Sequence, residues 1–161
     1  MYERILVPLD GSSVGEAALP DVENMVLKMG GCAQVEVTLL QVISEMTYDF
    51  LTEADAAQLP YNETDLKKIE QAAQKYLDRV AWGLGSKGIK VKTMVKTGHA
   101  AEEIIKVAHE INADLIAMST HGRSGLGRWA MGSITDKVLN HSDIPVLTVR
   151  AKRDSARSQS K

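Results

Sequence analysis

Short apolar runs alternate with segments of helical periodicity along most of the chain, and this alternation constrains the fold more than any other feature. Runs of strand length with apolar or alternating patterns predict buried and half-buried strands, and the intervening segments repeat apolar residues at helical spacing. The five strand-like runs are ERILVPLD, QVEVTLLQVI, IKVKTMV, DLIAMS and PVLTVR. Helices are predicted over residues 14–29, 63–82, 100–112 and 133–142. The pattern predicts an α/β fold with a five-stranded, open, mainly parallel sheet and helices on both faces.

Composition narrows the protein class further. A chain of 161 residues predicts one domain over residues 1–150, followed by a basic, disordered tail over 151–161. The formal net charge of −2 argues against a nucleic-acid binder. Cys32 is the only cysteine, so neither an internal disulfide nor a cysteine-based zinc cluster can form within one chain. No signal peptide or membrane-length apolar run is found, so we expect a cytoplasmic protein without a membrane partner.

The segment after the fourth strand is the strongest candidate for a binding loop. Ligands of an open α/β sheet bind beyond the carboxyl ends of the strands, where the strand order reverses. Gly122, Gly125 and Gly127 allow consecutive backbone N–H groups to approach an anion closely. Arg123 and Arg128 add positive charge and paired hydrogen-bond donors. These residues predict a phosphate-binding loop, and a flexible turn of the same composition is the alternative.

A second phosphate signal is the start of the last helix. The dipeptide Gly132-Ser133 precedes the helical segment ITDKV. A helix start offers unpaired N–H groups and the positive end of the helix dipole, both of which suit a phosphate. The alternative is a serine-containing helix cap with no ligand.

One stretch resembles a known nucleotide-binding loop. HGRSGLGRWAMGS, at residues 121–133, is similar to the loop of the universal stress protein family. The ATP-binding members carry a glycine, two residues, a second glycine, nine residues, and a glycine followed by serine or threonine. Gly122 and Gly132-Ser133 match the later part of this pattern, and its first glycine falls at Ser119. Similar stretches at ILVPLDGS, GHAAEEII, ADLIAMSTHGRSGL and SDIPVLTV extend the resemblance over nearly all of residues 2–150.

The resemblance implies an adenine-nucleotide site with a Rossmann-like fold. Its nucleoside side would be lined by Pro8, Leu9 and Asp10, with the Asp10 carboxylate near the ribose or a bound metal. Val42 would offer backbone groups and an apolar contact to adenine. The residues implied beneath the ribose and around the phosphates are Met118, Ser119, His121, Gly122, Arg123, Gly125, Arg128, Gly132, Ser133, Ile134 and Thr135. For Asp10, the alternative role is an N-cap of the first helix.

The resemblance implies that the protein is a stress-response regulator that binds ATP, ADP or AMP. Mg²⁺ is a further candidate ligand of the same site. No GxxxxGK[ST] motif is present and no residue evidently positions a water molecule, so we expect binding with weak or no ATP hydrolysis. A slow ATPase and a dimerising scaffold with a degenerate pocket are the alternatives. The short apolar strand Pro145-Val146-Leu147-Thr148-Val149 would be an exposed edge, and the resemblance likewise implies a homodimer through it.

We predict structural roles for both tryptophans and for the three histidines other than His121. Trp82 and Trp129 are predicted to be packing residues. His99, His109 and His141 are predicted to lie in loops or on helix surfaces.

Overall fold

Five parallel strands form the centre of the fold in the computed structural model, which describes residues 2–29, 34–43, 63–120 and 131–151. The strands are β1 (Arg4–Leu9), β2 (Glu36–Ile43), β3 (Lys90–Thr97), β4 (Leu115–Ser119) and β5 (Val146–Val149). The helices are a 3-10 turn (Gly15–Ala18), α1 (Leu19–Lys28), α2 (Glu63–Gly85), α3 (Ala100–Glu110) and α4 (Ser133–His141).

The strand order is β3-β2-β1-β4-β5, and every neighbouring pair is parallel. The chain therefore builds outward from β1 through β2 to β3, then returns to the other side of β1 to add β4 and β5. The strand order reverses between β1 and β4, and there the loops leave the sheet in opposite directions. This arrangement confirms the predicted fold class and gives the sheet one topological switch point.

Alternating side chains of the central strands fill two cores, one on each face of the sheet. On the first face, Ile5 and Val7 pack in one cluster with Val22 of α1 and Leu77 of α2. On the second face, Leu6, Leu40 and Ile116 pack with Val107 of α3 and Val138 of α4. Burial on both faces explains why β1 and β4 read as continuous apolar runs in the sequence.

Two helix boundaries differ from the sequence prediction by three residues or more. The helix predicted from residue 14 begins as a 3-10 turn, and regular α-helix starts only at Leu19. Pro20 lies in the first turn of α1, where its missing N–H would have no helical partner in any case. The second difference is at the end of α2, which continues to Gly85 instead of ending near residue 82.

Trp82 does not pack in either core, so its predicted packing role is wrong. Its side chain is 77% exposed, because it lies opposite the α2 residues Ala73, Leu77 and Leu84, which are buried. Trp129 lies outside the described residues. His99, His109 and His141 are exposed, as predicted.

One carboxylate links β1 to β4 at the amino end of the sheet. Asp114 Oδ2 accepts the backbone N–H groups of Glu3 at 2.9 Å and Arg4 at 2.8 Å. The hydrogen bond from Glu3 and then that from Arg4 lower the pKa of Asp114 below its ordinary value. Asp114 also donates its own N–H to the Arg4 carbonyl at 2.8 Å, so the switch-point strands are joined at the end opposite the candidate site.

The described helices include none that combines the length and the apolar character needed to cross a membrane. Residues 152–161 of the tail predicted over 151–161 lie outside the described part of the chain.

Candidate functional site

The carboxyl ends of β1, β2 and β4 meet at one edge of the sheet. Leu9 is paired with Gln41, and Leu6 with Ile116, in parallel register. Val42 and Asp10 directly follow the last residue pair of β1 and β2, and Ser119 ends β4 on the other side of β1. Residues predicted from three distant parts of the sequence therefore converge at the switch point.

The turn after β1 is built around the Asp10 carboxylate. Asp10 Oδ1 accepts the Ser12 backbone N–H at 3.0 Å and the Ser12 hydroxyl at 2.6 Å. Ser12 Oγ in turn accepts the Gly15 N–H at 3.0 Å, and Gly11 supplies the positive φ of 79° that the turn requires. Asp10 is therefore not the helix N-cap that sequence analysis offered as an alternative. It holds Ser12, whose hydroxyl oxygen accepts the N–H of Gly15, the first residue of the 3-10 turn.

Gly15 makes room for this carboxylate. A Cβ added at Gly15 would overlap Asp10 Oδ1 and would lie only 3.4 Å from Ser12 Oγ. A side chain at position 15 would therefore force the Asp10 carboxylate to move from its position against Ser12. The constraint at position 15 comes from the Asp10 side chain, because the backbone conformation of Gly15 does not itself favour glycine.

Tyr76 of α2 brings a hydroxyl close to the same turn. The hydroxyl is buried and has no hydrogen-bond partner in the part of the chain that the structure describes. Burial first, then the nearby Glu16 carboxylate, raises the pKa of Tyr76 well above its ordinary value, and Asp10 contributes in the same direction. Burial and the two carboxylates therefore keep the Tyr76 hydroxyl in its neutral form.

A second group of hydrogen bonds places the start of α4 against the end of β4. The Thr120 N–H donates to the Val149 carbonyl at 2.9 Å, and the Gly132 N–H donates to the Thr120 carbonyl at 2.7 Å. Thr135 Oγ1 donates to the Ser119 carbonyl at 2.9 Å within the protein interior. The first turn of α4 is therefore held at the switch point by contacts that do not involve residues 121–130.

The N-terminus of α4 has no side-chain cap in the part of the chain that the structure describes. Gly132 is the N-cap residue, with φ −59° and ψ 142°. Ser133 and Ile134 are exposed, whereas Thr135 is buried. The first N–H groups of a helix have no intrahelical acceptor and lie at the positive end of its dipole. This end of α4 can therefore receive an anion.

The remaining predicted residues fall into three groups. Leu9, Met118 and Ser119 are buried, and Leu9 and Met118 lie in opposite cores, so neither projects freely into the crevice. Pro8 and Val42 are partly buried, and Val42 packs against the core on the α3 and α4 face. His121, Gly122, Arg123, Gly125 and Arg128 lie outside the described residues.

Sequence reasoning missed three contributors to the site. Ser12 follows Asp10 by two residues, a spacing typical of an aspartate-stabilised turn, and this signal was available. The steric role of Gly15 depends on the direction of the Asp10 side chain. The approach of Tyr76 depends on how α2 packs against β2 and β3, and nothing local in the sequence indicates it.

The part of the chain that the structure describes contains no group of three or more His, Cys, Asp or Glu side chains placed to hold a metal ion. Mg²⁺ remains a prediction from the resemblance alone.

Comparisons with known proteins by sequence and by structure point to one protein family. The sequence pattern of the "Universal stress protein family" matches residues 1–150. Universal stress protein MJ0577 of Methanocaldococcus jannaschii is 34% identical, with 94% of this chain and 97% of that protein covered. Its solved structure has a TM-score of 0.78 at 32% identity, covering 95% of this chain and 99% of that one.

Two more distant structures share the fold. An Arabidopsis thaliana family member, At3g01520, solved with AMP bound, has a TM-score of 0.63 at 16% identity and covers 97% of this chain and 96% of its own. A universal stress protein solved in complex with cAMP has a TM-score of 0.60 at 16% identity, covering 94% of this chain and 98% of that one.

Proposed function

Because the chain belongs to the universal stress protein family, we propose that it binds an adenine nucleotide in the crevice between β1 and β4. The observation that carries this proposal is the N-terminus of α4, which no side chain of the described residues caps and which Thr135 anchors at the switch point of the sheet. Two proteins with the same fold bind AMP and cAMP, which supports an adenine nucleotide as the ligand class.

The phosphate end of the ligand is assigned to the first turn of α4. Gly132 leaves space beside the first helical N–H groups, and the exposed Ser133 hydroxyl can donate a further hydrogen bond. Glycines and arginines of the preceding loop, Gly122, Arg123, Gly125 and Arg128, would complete the phosphate contacts as the sequence predicts.

The nucleoside end is assigned to the ends of β1 and β2. Pro8 and Val42 offer partly buried apolar surface and backbone groups on one side of the switch point. Asp10 has its carboxylate oriented by Ser12 and Gly15, so it can meet a ribose hydroxyl in a defined geometry. A prearranged acceptor loses less side-chain freedom on binding, which favours affinity.

We assign the protein to ligand binding with at most slow hydrolysis of ATP. The chain lacks the GxxxxGK[ST] motif, whose lysine would reach the terminal phosphates. A ligand that is held and not consumed suits a stress-response regulator whose contacts change with occupancy.

A homodimer through β5 is part of the same proposal. The two edge strands of the sheet differ in how strongly their charges oppose pairing with a strand of another chain. The edge strand β3 carries Lys90 and Lys92, which both pair with Glu36, at 2.7 Å and 2.9 Å. The other edge strand, β5, has the uncharged sequence VLTV and is only partly buried. Charged edges resist pairing with another chain, so an isologous dimer is expected at β5 and not at β3.

Titration calorimetry of the full-length chain with ATP, AMP and cAMP tests the proposed ligand. At least one nucleotide is expected to bind, and Gly132→Val is expected to weaken its binding roughly tenfold or more, because the new side chain obstructs the first turn of α4. Gly83→Val is the matched control, since a Cβ added there meets nothing within 4 Å. The proposal fails if no adenine nucleotide binds at millimolar concentration, or if both variants bind like the parent.

A further inference from the structure

Trp82 is the most exposed large apolar side chain in the described part of the protein. It is 77% exposed, whereas the next most exposed residue of this kind, Ile134, is 43% exposed. Transfer of a large apolar side chain out of water is favourable, so an exposed indole is a strong candidate for an interaction. Tryptophan is also among the residues most enriched where binding energy concentrates.

The helical neighbours of Trp82 leave its ring uncovered. Residues three and four positions away along a helix are the ones that can cover a side chain. On the carboxyl side these are Gly85, which has no side chain, and Ser86, whose hydroxyl donates to the Gly83 carbonyl at 2.9 Å. On the amino side, Asp78 accepts a hydrogen bond from Gln74 at 2.7 Å, and the Arg79 guanidinium lies 5.4 Å from the centre of the Tyr76 ring.

The glycines beside Trp82 have no packing explanation within α2. A Cβ added at Gly83 or Gly85 meets nothing within 4 Å, so no neighbouring group requires their small size. A glycine inside a helix lowers the stability of the helix relative to alanine. Together with the exposed indole, the two glycines give a smooth surface that a second molecule can approach.

The charges on the outer face of α2 define the kind of partner. Lys68, Lys75 and Trp82 recur every seven residues and form one line along the helix, with Arg79 beside it. These side chains are all exposed, and the exposed carboxylates of α2 among the described side chains are Glu70 and Asp78. The line is positively charged although the whole chain has a net charge of −2.

We propose that the outer face of α2 is a docking surface for an acidic segment of a partner protein. An apolar side chain of that segment covers Trp82, and its carboxylates pair with Lys75 and Arg79. Desolvation by the apolar contact strengthens the ion pairs at its border.

Other occupants fit this surface less well. A second copy docked through the same face would place like charges against each other, because a two-fold interface brings each patch onto itself. Nucleic acids and anionic membranes attract proteins through an extended positive field, which a chain of net charge −2 lacks.

Selection from a random peptide display library on the immobilised full-length protein tests the proposal. The enriched peptides are expected to combine Asp or Glu with Leu, Phe or Trp. One such peptide without tryptophan, made synthetically, is then titrated into the Trp129→Phe variant, so that Trp82 is the single tryptophan in the sample. Binding is expected to shift the Trp82 emission to shorter wavelength and to protect it from iodide quenching.

Variants decide whether the peptide uses this surface. Trp82→Ala and Arg79→Glu are each expected to weaken binding roughly tenfold or more. The matched controls are Leu27→Ala, an exposed apolar residue on α1, and Lys106→Glu, an exposed lysine on α3. Unchanged unfolding midpoints would show that the exposed substitutions leave the fold intact.

The proposal is overturned if the enriched peptides are basic or neutral, or if Trp82→Ala and Arg79→Glu bind them as the controls do. It is also overturned if anionic phospholipid vesicles or single-stranded RNA protect Trp82 and the peptides do not. None of these outcomes depends on nucleotide binding, so the two proposals can fail separately.

Discussion

The hydroxyl of Thr135 and the main-chain carbonyl of Ser119 form a buried hydrogen bond of 2.9 Å. This bond joins the first turn of α4 to the last residue of β4, although the loop between them lies outside the described residues. The separation of strand and helix at the switch point is therefore set independently of the loop. Any anion held by the α4 N-terminus is held at a distance from β1 that this bond helps to define.

Replacement of Thr135 by valine tests the importance of this bond. Thr135→Val keeps the side-chain shape, removes the donor and leaves a buried carbonyl less well satisfied. It is expected to lower the free energy of unfolding by about 1–2 kcal/mol. Chemical denaturation measures the loss, and Thr135→Ser is expected to recover most of it. Equal stability of the valine variant and the parent would contradict the assigned role.

Alanine substitutions at Gly15 and Gly83 are expected to change the stability of the protein in opposite directions. Gly15→Ala forces the Asp10 carboxylate to move and is expected to destabilise the protein by about 1–3 kcal/mol. Gly83→Ala adds a methyl group in open space inside α2 and is expected to stabilise it by about 0.5–1 kcal/mol. Thermal unfolding of both variants measures the contrast. A stabilising Gly15→Ala would show that Asp10 does not occupy this position in solution.

Asp114 predicts a dependence of stability on pH. Its folded-state pKa is lowered by the N–H groups of Glu3 and Arg4, so the ionised form stabilises the fold above the unfolded-state pKa, about 4. This contribution is lost as the pH falls through the folded-state pKa. The difference in unfolding free energy between parent and Asp114→Ala should therefore be largest near pH 7 and smaller toward pH 3.

Urea denaturation at a series of pH values checks this expectation. Asp143→Ala is a control, because the Asp143 side chain is 78% exposed and pairs with His109 alone in the described part of the chain. A difference for Asp114→Ala that stays constant across the pH range would contradict the role of the ionised carboxylate.

The proposed dimer predicts opposite responses at the two sheet edges. The full-length chain is expected to have the mass of two chains in light scattering at micromolar concentration. Thr148→Lys places a charge on β5 and is expected to give the mass of one chain. Thr97→Lys, on the other edge strand, is expected to leave the dimer intact. A parent protein with the mass of one chain would rule out this assembly.

The sequence predicted the strands, the helices and the sheet class because those features depend on local periodicity. The apolar run before Asp10 and the alternating lysines of β3 are recognisable without any knowledge of tertiary contacts. Edge position was also predictable for β3, since Lys90 and Lys92 suit a solvated strand face and the structure places β3 at the sheet edge.

The sequence by itself therefore determined which segments become strands and helices and which strand ends carry polar and glycine residues. Only the tertiary structure decided what those residues contact. Asp10 is engaged with Ser12 against Gly15, Thr135 is bonded to Ser119, and Trp82 faces solvent. The physical reason is that periodicity acts between near neighbours in sequence, whereas these three outcomes depend on the direction of a side chain relative to groups brought close by packing.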